Sequence, residues 1–377
     1  MAQVGTDYRS CHTFNSGLTE LPTSIITTLR FNTYRLRHLM KTALIGLGRM
    51  GMRQATVLRQ CELRIDAISD LNPEACKTAG EEFDVAPENQ FVSGEKLIET
   101  IQPELLIIAT TAPSHHDLVI LAAKSGVRKI LCEKPMGTNL AECQNMVKTC
   151  HAAGVELAVN HQMRSMEQYT IPKHMAASPE FGGIGSVIVS AGNFGMAMNG
   201  THYFEMFRYM TDEEPVLVSA WFSDNTLQNP RGAQFKDVAG SIRLETPSGK
   251  RFYMDCSSDQ GHGMQVTYNC HNGRITIDEL DGSMYYVARH PEHRNQPTTQ
   301  YGMPYDKGAR TITPADAVAP TRAVLESLLR GENFPNGEDG LLAMKLLIAA
   351  HISNSRGGET IDLRKEELPT DLTLPIA

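Results

Sequence analysis

The residues best placed to do chemistry follow one short apolar run: Glu133, Lys134 and Pro135 come directly after Ile130-Leu131-Cys132. Such a run, bounded by charge and proline, indicates a buried strand that ends at the rim of a sheet. Open parallel sheets bind ligands beyond the carboxyl ends of their strands. Proline also disfavours helical dihedrals at Lys134. We therefore predict that Lys134 touches the reacting atoms; the alternative is a solvated lysine where a strand ends.

A glycine pattern near residue 46 predicts a dinucleotide site. Gly46-x-Gly48-x-x-Gly51 follows a predicted strand, Thr42–Ile45, and opens a predicted helix. Gly46 would allow the tight turn, Gly48 the approach of a pyrophosphate, and Gly51 the close packing of helix on strand. The helix amino terminus would then face the phosphates. The loop also contributes two candidate cofactor contacts, Arg49 and Met50.

An acid at the end of the second predicted strand favours NAD over NADP. Asp70 follows the glycine pattern by about 20 residues, the spacing of the ribose-binding acid in such folds. Its carboxylate would accept hydrogen bonds from the ribose hydroxyls and repel a 2′-phosphate. Arg49 is the counter-indication, because its guanidinium could pair with that phosphate.

A third stretch, Thr110-Thr111-Ala112-Pro113, follows the predicted buried strand Leu105–Ala109. Its position predicts cofactor contacts from Thr110, Thr111 and Pro113. Ser114 and Asp117 predict a capping box for the next helix. His116 would lie in the first turn of that helix, where the helix dipole keeps an imidazole neutral. It could contact the cofactor or be structural.

The order of predicted elements separates two domains. Strands alternate with helices over residues 40–160, which predicts an α/β doubly wound parallel sheet, the Rossmann domain that binds NAD(P). Over residues 161–377 we predict an α+β domain for substrate binding and oligomerisation, with a large, mostly antiparallel, open-faced sheet. Within it, Asn272-Gly273 and Asp281-Gly282 predict type I′ hairpins.

Composition narrows the class of protein. The chain has 41% hydrophobic residues, a net charge of −8 and a pI near 5.9, which argue against a nucleic-acid or membrane partner. The cysteines are dispersed without a CxxC pair, so we predict a reducing, cytoplasmic location. The spacings of a zinc site, a Walker loop and a serine-hydrolase elbow are absent, and we predict no metal.

Residues 1–39 differ in composition from the rest of the chain. They hold many Ser, Thr and Arg residues and two acids, Asp7 and Glu20, while Met40-Lys41 leads directly into the first predicted strand. We predict a disordered leader or a misassigned start, with a transit peptide as the alternative.

With these pieces in place the chain resembles the Gfo/Idh/MocA oxidoreductases, the family of glucose-fructose oxidoreductase and inositol dehydrogenase. The resemblance spans roughly residues 40–365. It rests on these segments: Gly46–Gly51, Thr111 to His116, Glu133-Lys134-Pro135, Arg164, Gly200-Thr201-His202 and Gly337-Glu338-Asp339-Gly340-Leu341.

The resemblance implies roles for particular residues. Lys134 would hydrogen-bond the substrate hydroxyl beside the nicotinamide, and His202 is a candidate proton carrier. Apart from the resemblance, we expect Glu133 to orient its neighbour Lys134 and to contact the cofactor. Members similar to inositol dehydrogenase carry an aspartate one turn before this histidine, where this chain has Met198 with Asn199 beside it. An uncharged neighbour cannot stabilise an imidazolium as a carboxylate would. By helical pattern alone, His202 is a packed structural residue.

Further substrate contacts are expected around these two residues. Asn199 and Arg164 are candidates, and His161 and Tyr203 could also line the substrate crevice, although each could be structural. The family further implies subunit contacts through the open face of the second sheet, in a homodimer or homotetramer.

The resulting prediction is an NAD(P)-dependent dehydrogenase of the EC 1.1.1 type. It would move a hydride between nicotinamide and a secondary alcohol or ketone of a sugar, sugar acid or cyclitol, with NAD the expected cofactor and NADP less favoured. Two alternatives remain: an NAD-dependent glycosidase that oxidises its substrate transiently, and a non-catalytic NAD-binding regulator.

Overall fold

The structure, a computed structural model, describes residues 40–192, 194–223, 227–229, 231–297 and 302–377. Met40–Ala377 forms one compact unit. Residues 1–39, predicted to be a leader or a misassigned start, lie outside the described residues. In the part of the chain that is described, no helix has both the length and the apolar character needed to cross a bilayer.

The first sheet has six strands in the order β3-β2-β1-β4-β5-β6, and all its neighbours pair in parallel. The predicted doubly wound sheet is confirmed. Its strands are β1 (Thr42–Ile45), β2 (Ala67–Ser69), β3 (Gln90–Phe91), β4 (Leu105–Ile108), β5 (Lys129–Cys132) and β6 (Glu156–Val159). Its helices are α1 (Arg49–Gln60), α2 (Pro73–Phe83), α3 (Gly94–Ile101), α4 (His115–Lys124) and α5 (Leu140–Ala153).

The central strands are apolar throughout because helices cover both faces of a parallel sheet. Every residue of β1 and β4 is buried. At their carboxyl ends, where the chain leaves the core, β1 is followed by the glycine loop from Gly46 and β4 by Ala109 and Thr110. The sheet therefore delivers the predicted chemical groups to one edge.

In this half of the chain, the predicted helix starts at Asn72 and Asn139 agree with the structure, and the capping box at Ser114 does not. Asn72 and Asn139 accept hydrogen bonds from amides of the first turns of α2 and α5. The capping box predicted for Ser114 and Asp117 is wrong. Ser114 lies in a 3₁₀ turn, Ala112–Ser114, and its hydroxyl donates to Thr111 O at 3.0 Å instead of capping α4.

The second sheet has nine strands in the order β16-β15-β14-β13-β7-β12-β11-β8-β17. Its neighbours are antiparallel except for β7 and β12, so the predicted mostly antiparallel sheet is confirmed. The strands of this half are β7 (Ile184–Gly192), β8 (Leu217–Phe222), β9 (Leu227–Gln228), β10 (Lys236–Asp237), β11 (Gly240–Glu245), β12 (Arg251–Ser257), β13 (Gln265–Cys270), β14 (Gly273–Asp278), β15 (Ser283–Arg289), β16 (Tyr305–Thr311) and β17 (Ile361–Asp362); β9 and β10 form a separate two-stranded pair.

Helices cover one face of this sheet and leave the other open. They are α6 (Glu167–Ala177), α7 (Thr201–Thr211) and α9 (Gly337–Ser355), and α7 is preceded by a π-helical turn, Met196–Gly200. Helix α8 (Val318–Arg330) packs instead on α1 and β5 of the first half. Helix α9 packs on β8 and also on α5 of the first half. Along β12 the burial alternates strictly, which is the pattern of a sheet with one covered face.

The two predicted type I′ turns are wrong. That turn needs a positive φ at both central residues. Neither Asn272 nor Gly273 has one, and at the other hairpin Gly282 has φ +76 while Asp281 does not. At the first hairpin Gly273 begins β14, so this glycine marks a strand border instead of a turn centre.

Candidate active site

A cavity of about 690 Å³ opens at the carboxyl ends of β1, β2, β4 and β5. Nine of the residues predicted from the sequence line it: Gly46, Gly48, Arg49, Met50, Asp70, Thr110, Thr111, Glu133 and Lys134. Parallel strands deliver them to one place because all their carboxyl ends lie at the same edge.

The glycine loop has the shape that a pyrophosphate needs. Gly46 adopts φ +90, and a Cβ there would lie 2.7 Å from the main-chain carbon of Ala109. A Cβ on Gly51 would lie 1.8 Å from Gly46 O, so this glycine lets α1 pack on the loop. Around Gly48, no described atom lies within 4 Å of the Cβ position. Gly46 and Gly51 are therefore in close contact with neighbouring main-chain atoms, whereas the space beside Gly48 is free for a ligand. The N–H groups of the first turn of α1 lie beside this space.

Asp70 lies beside the glycine loop in the cavity and is held by main-chain amides. Its Oδ2 accepts from Leu47 N at 2.7 Å, and its Oδ1 accepts from Asn72 N at 2.9 Å. A carboxylate oxygen can accept more than one hydrogen bond, so both oxygens remain able to bind hydroxyls. The glycine loop and the acid therefore form one rigid unit, which fits the ribose and pyrophosphate of a dinucleotide.

Glu133 is buried and fixed by two side-chain amides. Its Oε1 accepts from Gln54 Nε2 at 2.6 Å and from Asn160 Nδ2 at 2.8 Å. Asn160 Nδ2 also lies 3.3 Å from Thr321 Oγ1 on α8. The carboxylate next to Lys134 is thus a rigid part of the sheet edge.

Lys134 is half-buried, and its ammonium group donates to the main-chain oxygen of Met198. Burial lowers the pKa of Lys134 to about 8, with the Glu133 charge opposing the shift. The Lys134–Pro135 peptide bond is cis. Near neutral pH a lysine with this pKa is partly deprotonated, which a lysine in water is not.

The turn that contacts Lys134 is held by a carboxylate that the sequence analysis did not identify. Asp237 on β10 is 3% exposed, and its two oxygens accept from the amides of Ala197 and Met198 at 2.8 Å each. A Cβ on Gly195 would lie 2.1 Å from Asp237 Cγ, so glycine lets the carboxylate reach these amides. Burial raises the pKa of Asp237, and its amide hydrogen bonds and Lys134 oppose that shift.

His202 and His161 form a buried pair on the first turn of α7 and the end of β6. Their ring centroids are 5.5 Å apart and the rings are perpendicular. Burial lowers the pKa of His161 to about 3 and that of His202 well below its usual value, and Lys134 lowers both further. Neither Nδ1 has a hydrogen-bond partner among the described residues. Both imidazoles are therefore neutral at physiological pH.

Arg164 belongs to a buried network of charges. Its Nη2 lies 3.1 Å from Glu205 Oε1 and 2.5 Å from Asp339 Oδ2. Arg208 completes the network at 3.0 Å from Glu205 and 3.1 Å from Asp339. Because both carboxylates already bind the guanidinium group of Arg164, this geometry favours joining α7 to α9 over contacting substrate.

The remaining candidates divide between the crevice and the core. Asn199 lies half-buried in the π-helical turn, one residue after Met198. Tyr203 faces away into the core, where its hydroxyl donates to Glu279 Oε2 at 2.8 Å. Tyr203 is therefore structural, which the apolar pattern of α7 alone does not reveal.

Three predicted cofactor contacts are not among the described residues that line the cavity: Gly51, which packs α1 on the loop, and also Pro113 and His116. Pro113 is exposed, and the ring nitrogens of His116 lie 2.7 Å from Asp117 Oδ1 and 2.9 Å from Asn145 Nδ2. The neighbouring His115 points inward, with its Nδ1 2.9 Å from Pro135 O. Of the two alternatives for His116, this geometry favours the structural one, because its ring contacts Asn145 on α5.

Taken together, the parallel sheet, the glycine loop and the lysine at the cavity edge define a dinucleotide-binding oxidoreductase. Residues 40–161 match the Gfo/Idh/MocA family model, described as an oxidoreductase family with an NAD-binding Rossmann fold. Over these residues the chain is similar to this family.

Two dehydrogenases are similar to this chain in sequence, and one solved structure shares its fold. D-apiose dehydrogenase of Paraburkholderia graminis is 26% identical over 361 residues, which cover 87% of this chain and 90% of that protein. Inositol 2-dehydrogenase of Pseudomonas syringae pv. syringae is 26% identical over 271 residues, or 67% of this chain and 74% of that one. An oxidoreductase from Agrobacterium radiobacter, crystallised with NAD+, L-tartaric acid and magnesium, shares the fold with a TM-score of 0.72 and 21% identity, covering 86% and 98% of the two chains.

Proposed function

We propose that this protein is an NAD-dependent dehydrogenase that interconverts a secondary alcohol and its ketone on a sugar, sugar acid or cyclitol. The observation that carries the proposal is Lys134, which reaches the cofactor cavity with its pKa lowered to about 8. The dehydrogenase relatives, named for D-apiose and inositol, support the substrate class.

The protein's contribution to the reaction is positioning and proton transfer. Bound nicotinamide would supply the acceptor or donor of the hydride. The glycine loop and Asp70 would bind the pyrophosphate and the adenosine ribose, and Glu133 would orient the nicotinamide end. Lys134 would bind the substrate hydroxyl and, as the neutral amine, accept its proton while the carbinol carbon is oxidised.

His202 takes a narrower role than that of a charged proton carrier. Its burial and the nearby Lys134 both disfavour the imidazolium, and the side chain one turn earlier is Met198 instead of a carboxylate. A neutral imidazole still accepts one hydrogen bond and donates another. We therefore propose that His202 orients a substrate hydroxyl, with Asn199 as a second contact. Lys134 is the group that accepts the proton.

NAD is the proposed cofactor in preference to NADP. Asp70 lies at the end of β2 with both oxygens fixed by amides, where a 2′-phosphate would meet a full negative charge. Arg49 lines the same cavity, but it extends from the glycine loop and therefore belongs with the pyrophosphate.

The proposed assembly is a homodimer or homotetramer formed through the open face of the second sheet. Large apolar side chains lie exposed on this face: Ile188, Trp221, Tyr253 and Tyr285. The strand register brings Ile188, Tyr253 and Tyr285 into one row across the sheet. Tyr253 is the direct neighbour of Ile188 in this row, and Thr267 and Thr276 lie between Ile188 and Tyr285. Large apolar side chains exposed on one face are typical of a subunit interface.

A substrate screen tests the proposed function. The full chain is incubated with NAD or NADP and a panel of sugars, sugar acids and inositols, and NADH or NADPH is followed by absorbance. We expect NADH formation with at least one member and a lower rate with NADP. Sugar release from glycosides without accumulated NADH would instead indicate the glycosidase, and the absence of both activities despite NAD binding would contradict an enzymatic role.

A further inference from the structure

One arginine from the second half of the chain lies in the cofactor cavity. Among the described lining residues, Arg231 is the one that follows residue 134 in sequence. It belongs to the segment between β9 and β10, and its amide donates to Asn229 Oδ1 at 3.0 Å. Asn229 is 6% exposed, so this turn is anchored in the protein. The turn anchored at Asn229 therefore positions Arg231 at the cavity.

The Arg231 guanidinium group lacks a protein partner on its buried side. Its Nη1 is buried and has no hydrogen-bond partner among the described residues, and no carboxylate of that part of the chain lies within 4.0 Å of the group. A buried cationic donor without a partner is costly, and an anion that enters the cavity would relieve that cost. The arrangement is that of an anion site.

The charges around Arg231 belong to the cofactor cavity and its border. Arg231 interacts electrostatically with Arg49, Glu133 and Asp237, and it lowers the pKa of Lys134. The buried imidazole of His202, on the substrate side, responds to Lys134 and His161. Arg231 lines the same cavity as Gly46, Gly48 and Arg49 of the glycine loop, whereas His202 is not among the described lining residues.

The two nearby carboxylates do not satisfy Arg231. Glu133 binds the amides of Gln54 and Asn160, and Asp237 binds the main chain at Ala197 and Met198. Their charges favour a guanidinium at this place without occupying its donors. A second cation, Arg49, lines the same cavity, so that the pair favours a ligand with more than one negative charge.

We propose that Arg231 binds the pyrophosphate of the dinucleotide from the second half of the chain, opposite the glycine loop. Guanidinium groups bind phosphate oxygens with two parallel hydrogen bonds, and the open side of Gly48 leaves room for that group between them. This inference rests on the proposed NAD-dependent function. It adds a cofactor contact that ties the two halves of the molecule together when NAD binds.

Calorimetric titration of the full chain tests the assignment without a known substrate. Wild type, Arg231→Gln and Arg231→Lys are titrated with NAD, with ADP-ribose, which keeps both phosphates but lacks nicotinamide, and with AMP, which lacks the second phosphate. The matched control is Arg274→Gln, an exposed arginine on β14. Circular dichroism and thermal melting verify that each variant is folded.

For Arg231→Gln we expect a rise in Kd of about 10- to 100-fold for both NAD and ADP-ribose, a smaller rise for AMP, and partial recovery in Arg231→Lys. Unchanged ADP-ribose affinity would overturn the proposal. If in addition the KM of an acidic substrate rose, the guanidinium would bind a substrate carboxylate instead. A wild-type protein that binds neither NAD nor ADP-ribose would refute the proposed function itself, which is a different outcome.

Discussion

The ammonium group of Lys134 donates a hydrogen bond to the main-chain carbonyl of Met198. Lys134 follows β5 of the parallel sheet, whereas Met198 lies in the π-helical turn before α7, so this contact joins the two halves of the site. The amide of the same Met198 donates to Asp237 at 2.8 Å. The lysine that would meet the substrate is therefore held by a turn that a buried carboxylate fixes in place.

Asp237→Asn should shift the pH dependence of turnover. The Asp237 charge raises the pKa of Lys134, so removing that charge lowers this pKa, and the rising limb of kcat/KM against pH moves to lower pH by about one unit or less. Steady-state rates of alcohol oxidation between about pH 6 and pH 10 measure this rising part of the kcat/KM profile. Asp259→Asn, at an exposed aspartate, is the control. A limb that stays in place would show that Asp237 does not act on Lys134.

Asp70→Asn should narrow the preference for NAD over NADP. Asparagine retains a hydrogen-bond acceptor but lacks the negative charge of Asp70. That charge repels a 2′-phosphate and also strengthens the hydrogen bonds from the ribose hydroxyls. We expect the Kd of NAD to rise about tenfold and that of NADP to fall, as measured by titration. If the ratio of the two dissociation constants does not change, Asp70 does not select the cofactor.

Glu279→Gln should remove a pH dependence of stability. Glu279 is buried beneath the hydroxyls of Tyr169 and Tyr203, and burial raises its pKa to about 7 in spite of their hydrogen bonds. The folded state therefore holds a proton that the unfolded state releases between about pH 4.5 and pH 7, so the free energy of unfolding falls as pH rises through this range, by roughly 3 kcal/mol.

Urea unfolding at the two ends of that range measures this effect in wild type, Glu279→Gln and the exposed control Glu81→Gln. The difference in the free energy of unfolding between wild type and Glu279→Gln should change with pH. The difference between wild type and the control should stay constant. Parallel curves for wild type and Glu279→Gln would mean that the folded carboxyl titrates normally.

Ile188→Asp should dissociate the proposed oligomer. Ile188 is 43% exposed at the centre of the open face, and a charge there would be buried without a partner in any interface formed by that face. Light scattering on the purified chain should give a smaller mass for this variant than for wild type. Val92→Asp, at a position 55% exposed on the first half, is the control and should retain the wild-type mass. Equal masses for Ile188→Asp and wild type would place the interface elsewhere or exclude an oligomer.

The parts of the site that the sequence predicts are those governed by local geometry. Gly46, Gly48 and Gly51 lie within one strand–turn–helix unit, and Glu133 and Lys134 directly follow the apolar residues of β5, so pattern alone places them at the sheet edge. The capping box predicted at Ser114 is wrong although it is also a local pattern. A seryl residue can satisfy its hydroxyl in a 3₁₀ turn as well as at a helix start, and the sequence does not distinguish the two.

Asp237 and Arg231 could not be predicted in the same way. Both come from the short segment around β9 and β10, far along the chain from the glycine loop, and no motif surrounds them. Their roles depend on tertiary packing that brings this segment against the π-helical turn and the cavity. Gly195, which gives the Asp237 carboxylate room to reach the amides, is a local signal of the contact, but a glycine alone does not name its partner.

The pH profile of kcat/KM for wild type and Lys134→Met, on a substrate found in the screen, tests the assignment of the proton to Lys134 most directly. Wild type should rise about tenfold per pH unit and level off near pH 8, where the neutral amine predominates. Lys134→Met should bind NAD normally, lose about 10²- to 10⁴-fold in kcat/KM and show no such limb, while Lys124→Met, at an exposed lysine, keeps the wild-type profile. A Lys134→Met enzyme within about tenfold of wild type, with the limb unchanged, would contradict the role of Lys134 as the proton acceptor.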